Sequence, residues 1–113
     1  MKKKAYKVRL EDEEHKALKM ISVKKNIPVQ ELMEQIILEF IAFQSNNPMP
    51  IKRKATFNNP VHLNIPLPMD VSDKLVQHRK EEGVKATVIL NSAVMHWFKK
   101  HNLDPIKMVK AID

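Results

Sequence analysis

Apolar and basic residues alternate near the start of the chain. Tyr6, Val8 and Leu10 are apolar, and Lys7 and Arg9 between them are basic. A period of two puts the two kinds on opposite faces of an extended strand, expected over residues 5–10. The alternation returns 57 positions later as Leu63-Asn64-Ile65-Pro66-Leu67. After the first strand, Glu11, Asp12, Glu13 and Glu14 crowd the place where a helix would begin, and acids there complement its positive end. That helix is expected to reach about Lys25, with Leu18 and Ile21 turned inward, and to end at Asn26, which tolerates the left-handed conformation. The residue 57 positions beyond Asn26 is Gly83, the one glycine of the chain.

A second helix is expected from Pro28, whose fixed φ and missing N–H suit a first turn. Leu32, Met33, Ile36, Ile37, Phe40 and Ile41 form a wide apolar stripe of helical period along it. Ile89, Leu90, Ala93, Val94, Trp97 and Phe98 occupy the same six positions of the second repeat, and both stripes read as core. The pattern therefore predicts a mostly α chain with a short two-stranded antiparallel ribbon, in four parts. Residues 1–44 hold the first unit behind a lysine arm at 2–4, 45–60 a polar linker, 61–101 the second unit, and 102–113 a short tail. In that tail Asp104-Pro105 has the form of an N-cap followed by proline, and Ile106, Val109 and Ile112 are expected to dock a last short helix.

Composition narrows the chemistry. The 113 residues carry 20 Lys and Arg against 13 Asp and Glu, a net charge of +7. Such a balance favours a polyanionic partner, a nucleic acid or an acidic membrane surface, although ordinary solubility charge accounts for it equally well. With no cysteine there is no disulfide, thiolate metal site or cysteine nucleophile. No apolar run approaches the ~20 residues of a membrane span. The opening Met1-Lys2-Lys3-Lys4 resembles the basic start of a signal peptide, but no apolar stretch follows it, so a cytoplasmic protein is expected. The five histidines show no metal-ligand spacing with a third ligand, the serines have no triad context, and one glycine cannot build a phosphate loop. No enzymatic activity, cofactor or metal is expected.

The order of strand, short helix, left-handed turn and longer amphipathic helix resembles the ribbon-helix-helix regulators of the Arc/MetJ/CopG type, which read DNA with β-strands. Leu67-Pro68-Met69-Asp70-Val71 is similar to that family's passage from strand to helix, and Asn26-Ile27-Pro28-Val29-Gln30-Glu31-Leu32 to its turn into the second helix. The likeness covers residues 5–44 and 61–101. The small, cysteine-free chain also resembles regulators encoded by viruses of heat-loving archaea, for which the compartment would be the host cytoplasm. In the family two chains dimerise through their strands. Two copies in one chain imply an intramolecular pseudo-dimer, since a lone unit of roughly 45 residues buries too little surface to be stable. A tether replaces dimerisation with an effective concentration on the order of millimolar.

The resemblance implies that the outward strand positions face the major groove. These are Ala5, Lys7 and Arg9 on the first strand and His62, Asn64 and Pro66 on the second. Alternate residues of a strand stand about 6.6–6.8 Å apart, close to two base-pair rises of roughly 3.4 Å. Arg and Lys suit guanine O6/N7 and Asn suits adenine N6/N7, so Lys7, Arg9 and Asn64 are assigned to base readout, with His62 assisting. The alternative is a solvated strand face whose charges discourage edge-to-edge aggregation. Pro66 departs from the family, which has a polar side chain there, and predicts a looser second half-site.

Phosphate contacts in the family come from the start of the second helix. By position these are Val29 and Gln30 in the first repeat, beside Pro28, which lacks an N–H, and Lys85 and Thr87, beside Ala86, in the second. Lys3 and Lys4, with Lys2, and Lys52, Arg53 and Lys54 are candidates for looser backbone contacts or, alternatively, solvated charge runs. The resemblance thus implies a sequence-specific transcription regulator of double-stranded DNA, a repressor rather than an activator. Side-by-side binding of related dimers implies self-association or cooperative assembly on DNA. The other readings are an antitoxin-like interaction module, for which residues 102–113 form a short tail, and a nonspecific DNA-coating protein.

Overall fold

A computed structural model of the chain describes residues 3–47, 51 and 56–111. The elements run β1 (Lys3–Glu11), α1 (Asp12–Lys25), α2 (Val29–Asn46), β2 (Pro60–Pro68), α3 (Met69–Glu82), α4 (Ala86–Lys100) and α5 (Pro105–Lys110). The 57-residue offset holds for both limits of the strand and of the first helix, and for the start of the second helix. Mostly helical architecture with a two-stranded antiparallel sheet is what the alternation and the stripes predict.

Each strand extends beyond its expected limits. Lys3 and Lys4, expected in a mobile arm, belong to β1 and pair with Pro68 and Leu67. The antiparallel register joins Lys7 to Asn64 at its centre, with Arg9 opposite His62 and Ala5 opposite Pro66. Antiparallel pairs alternate between those that exchange two N–H···O bonds and those that exchange none. Pro60, Pro66 and Pro68 all fall at one parity, and Asp12 of the other parity donates its N–H to the Asn59 carbonyl at 3.0 Å. The three prolines therefore sit where their missing N–H would point away from β1, and the ladder loses no bond to them.

The helix boundaries have local causes. Asp12, Glu13 and Glu14 occupy the first turn of α1, and the Glu14 carboxylate accepts the Glu11 N–H at 2.8 Å. Asn26 ends α1 at φ 57° and ψ 44°, and Gly83 ends α3 at φ 69° and ψ 27°, both left-handed as their residue types allow. Helix α2 continues to Asn46, past the expected limit at 44. Ser45, Asn46 and Asn47, which read as loop, bond back through their side chains to the carbonyls of Ile41, Ala42 and Phe43. Helix α4 stops earlier than its counterpart because Asn102 turns left-handed at φ 55° and the Leu103 N–H reaches the Phe98 carbonyl at 2.9 Å.

One apolar cluster fills the space beneath the ribbon. Tyr6, Val8 and Leu10 from β1 and Ile65 and Leu67 from β2 meet the stripes of α2 and α4, and Leu18, Ile21, Val71 and Leu75 close its sides. The helices cross between repeats: α4 packs on β1, α2 on β2, and α2 and α4 on each other. A buried hydrogen bond of 2.6 Å from Tyr6 Oη to Ser72 Oγ also ties β1 to α3. Helix α5 packs on α1, its N-cap Asp104 accepting from the N–H groups of Ile106 and Lys107. Its docking differs in part from that expected: Ile106 is exposed and Val109 half-buried, while Met108 and the preceding Leu103 meet the core, because six residues present too short a stripe to fix the face in advance. Ile112 lies outside the described residues.

Candidate nucleic-acid interface

The pleat of the ribbon separates two surfaces. Tyr6, Val8, Leu10, Ile65 and Leu67 are buried, whereas Lys3, Ala5, Lys7, Arg9, His62 and Asn64 are exposed on the outer side. Residues opposite each other in an antiparallel pair share a face, so the register sets the outer side chains in rows. Arg9 stands with His62, Lys7 with Asn64, and Ala5 with the half-buried Pro66. The four residues assigned to base readout thus form one exposed patch with two cations, an imidazole and a side-chain amide.

Toward Arg9 and His62 this patch runs into a cleft. Its walls are Lys7, Val8, Arg9, Pro60 and His62 from the ribbon, Lys85, Thr87, Val88 and Asn91 from the first half of α4 and its N-cap, and Phe57 from the approach to β2. The cleft exists because α4 packs on β1, and a buried side chain fixes the distance between them. Asn91 Nδ2 donates to the Arg9 backbone carbonyl at 3.1 Å, and Asn91 is 5% exposed. The Arg9 guanidinium lies over the Phe57 ring, 5.6 Å from its centroid. The segment carrying Phe57 is pinned by Glu11, whose carboxylate accepts the N–H groups of Asn58 and Asn59 at 2.9 and 3.1 Å.

The charge of the cleft is positive. Lys7, Arg9 and Lys85 surround it, and the amino-terminal end of α4 adds the partial positive charge of its free amides. Lys85 is the N-cap and has no side-chain oxygen to accept from those amides. Chemically the arrangement presents fixed donors and cations to an anion alongside a polar strand face. Among the described residues no cluster of three or more His, Cys, Asp or Glu side chains could hold a metal ion, and no helix is long and apolar enough to cross a membrane.

Of the remaining candidates, Val29 and Gln30 are half-buried at the start of α2, which lies against β2 rather than beside the cleft. Lys3 has the outward parity. Lys4 has the parity of Tyr6, and its Nζ lies 5.6 Å from that ring's centroid, on the face opposite to Lys7. Lys52, Arg53 and Lys54 lie outside the described residues. Phe57 and Asn91 were not anticipated. Phe57 left a signal as the one aromatic residue between positions 45 and 60, whereas Asn91 falls between the stripe positions Leu90 and Ala93, where a polar residue is ordinary.

The positions 57 residues away from the cleft carry different chemistry. Arg9 corresponds to Pro66, His62 to Ala5, Lys85 to Pro28, Thr87 to Gln30 and Asn91 to Glu34. Comparison with family models, with curated proteins and with solved structures returns no match.

Proposed function

We propose that the chain is a sequence-specific regulator of transcription that lays its β-ribbon in the major groove of double-stranded DNA. The observation that carries this reading is the exposed row of Lys7, Arg9, His62 and Asn64, flanked by the amino-terminal end of α4. Side chains on alternate strand positions stand about 6.6–6.8 Å apart, a spacing suited to bases separated by two rises of roughly 3.4 Å. Arg9 and Lys7 supply donors for guanine, Asn64 a donor–acceptor pair for adenine, and His62 an additional polar contact. Lys85 and Thr87, at the head of a helix, are placed to take a phosphate of the same half-site.

The chain acts in this reading as a tethered pseudo-dimer of two ribbon-helix-helix units. Two facts support it. β2, α3 and α4 begin 57 residues after β1, α1 and α2 respectively. Lys7 pairs with Asn64, the residue 57 places on, and exchanging the two repeats carries every other pair of the ladder onto another pair. Such self-consistency is what an approximate two-fold axis between Lys7 and Asn64 requires. The register divides the ribbon by its ends, so each half-site meets both strands. The Arg9–His62 end reads strictly, and the Ala5–Pro66 end, with little to donate, reads loosely.

Repression needs only occupancy of a promoter, and we assign that role. An antitoxin-like role has less support, since α5 is folded onto α1 rather than extended toward a partner. The test is selection of bound duplexes from a random library at fixed salt, followed by titration of variants. Arg9→Ala and Lys7→Ala should each cost roughly 1–3 kcal/mol on the selected duplex and relax preference at one base pair. Lys85→Ala should weaken all sequences alike and reduce the slope of log K against log salt by about one. Strand variants that bind as tightly and selectively as wild type would sink the ribbon as reader. Binding without any recovered motif would make the chain a nonspecific coat.

A further inference from the structure

We infer that Phe57 is a specificity-determining residue, its ring meeting the 5-methyl group of a thymine beside the guanine contacted by Arg9. The inference rests on the proposed DNA reading and adds to it a base contact from outside both repeats. Phe57 is a half-buried aromatic in a cleft that it shares with cations and hydrogen-bonding groups and with apolar Val8, Pro60 and Val88. Its ring lies against the guanidinium assigned to base readout, at 5.6 Å from centroid to Arg9 Cζ. The backbone that follows it is tied down at two residues. Glu11 accepts the N–H groups of Asn58 and Asn59, and the Asp12 N–H donates to the Asn59 carbonyl.

The chemistry of the groove then selects the ligand group. Lys7, Arg9 and His62 can meet the polar atoms of base edges, and Lys85 and Thr87 a phosphate oxygen. A phenyl ring makes no strong hydrogen bond, and the apolar group that a major groove displays is the thymine methyl. The separation of ring and guanidinium lies between one and two base-pair rises of roughly 3.4 Å. The thymine therefore falls one or two base pairs from the guanine of Arg9. Stacking on the ring also restricts the guanidinium to one side of the cleft, so the pair reads a two-base element.

The test uses the whole chain and duplexes carrying the selected motif, with each thymine replaced singly by deoxyuridine, which removes only the methyl group. For wild type, one replacement within two base pairs of the Arg9 guanine should raise Kd about four- to tenfold, the range expected for one buried methyl group and its contacts. Phe57→Ala should bind the parent duplex more weakly by a similar factor and be indifferent to that replacement. Lys7→Ala should remain sensitive to it. A wild-type protein insensitive to every replacement in that half overturns the inference, as does a Phe57→Ala protein that keeps wild-type sensitivity or a motif without thymine at either position. The parent reading is judged separately. If Arg9→Ala binds the selected duplex like wild type, the ribbon itself is not the reader, and the role of Phe57 falls with it.

Discussion

The hydrogen bond between Tyr6 and Ser72 offers a direct test of how the two repeats are interlocked. Tyr6 lies on the strand of the first repeat and Ser72 on the first helix of the second, with 2.6 Å between their oxygens. Tyr6 is 8% exposed and Ser72 1%, so water cannot readily replace either partner. Tyr6→Phe removes one oxygen and leaves the ring packed. The loss comprises a net hydrogen bond of about 1 kcal/mol and a buried hydroxyl left facing a C–H, for a total near 1–2 kcal/mol. Ser72→Ala should cost a similar amount for the same reason. The double variant leaves no orphaned group, so it should cost less than the sum of the two by about 1 kcal/mol. For a chain of this size that coupling corresponds to roughly 4–5 °C in Tm. Urea unfolding of the four proteins of the cycle, each with an unchanged m-value, measures it. Strict additivity would show that the two hydroxyls are not bonded in solution and that β1 is held to α3 by apolar packing alone.

The left-handed turn at Gly83 and two half-buried imidazoles give two further expectations. A Cβ at Gly83 would meet nothing within 4 Å, so Gly83→Ala should cost only the backbone strain of about 1–2 kcal/mol. Gly83→Asn should cost less, because Asn26 already holds the matching position; equal losses in urea unfolding would contradict the strain account. Burial lowers the pKa of His96, with Lys100 adding to the effect, and burial lowers that of His15 as well. A base with a depressed folded pKa binds protons more readily when unfolded, so its stabilising effect is complete above the ordinary value of 6.5 and is lost as pH falls through the folded value. His96→Gln should therefore lose less stability than wild type between about pH 7.5 and about pH 5. A constant difference between the two proteins across that window would refute it.

Much of the fold is legible because it is written in local periods. The alternation at Tyr6–Leu10 fixes which residues face out. The stripes from Leu32 and Ile89 fix the buried faces of α2 and α4, and Asn26 and Gly83 mark left-handed helix ends. Contacts between distant segments leave weaker traces. That α4 rather than α2 covers β1 follows from the packing of the whole cluster, and no local period encodes it. Asn91 therefore reads as an ordinary polar position beside the stripe until its amide is found on the Arg9 carbonyl. Lys4 belongs to a charge run in sequence, and only the pairing of Lys3 with Pro68 reveals that its parity turns it toward Tyr6. Phe57 had a signal in its isolation, but the Glu11 anchors that hold its segment are bonds to backbone N–H groups, which any residue type could make.

Covalent linkage of two similar halves removes a constraint that identical chains cannot escape. In a symmetric dimer Arg9 would appear at both ends of the ribbon, and a residue useful at one half-site would be imposed on the other. Here Pro66 stands at the position matching Arg9, Pro28 at that matching Lys85, and Glu34 at that matching Asn91. Each change removes a donor or adds a carboxylate. On the proposed reading the basic half carries most of the affinity and the sequence preference, while the other half completes the core and the ribbon. A palindromic duplex built from two copies of the strict half-site should then bind little more tightly than the selected sequence, because the Ala5–Pro66 end has no side chains to exploit the second copy. Comparison of the two duplexes in one titration decides it: a large gain for the palindrome would mean that the Ala5–Pro66 half reads DNA as stringently as the Arg9–His62 half.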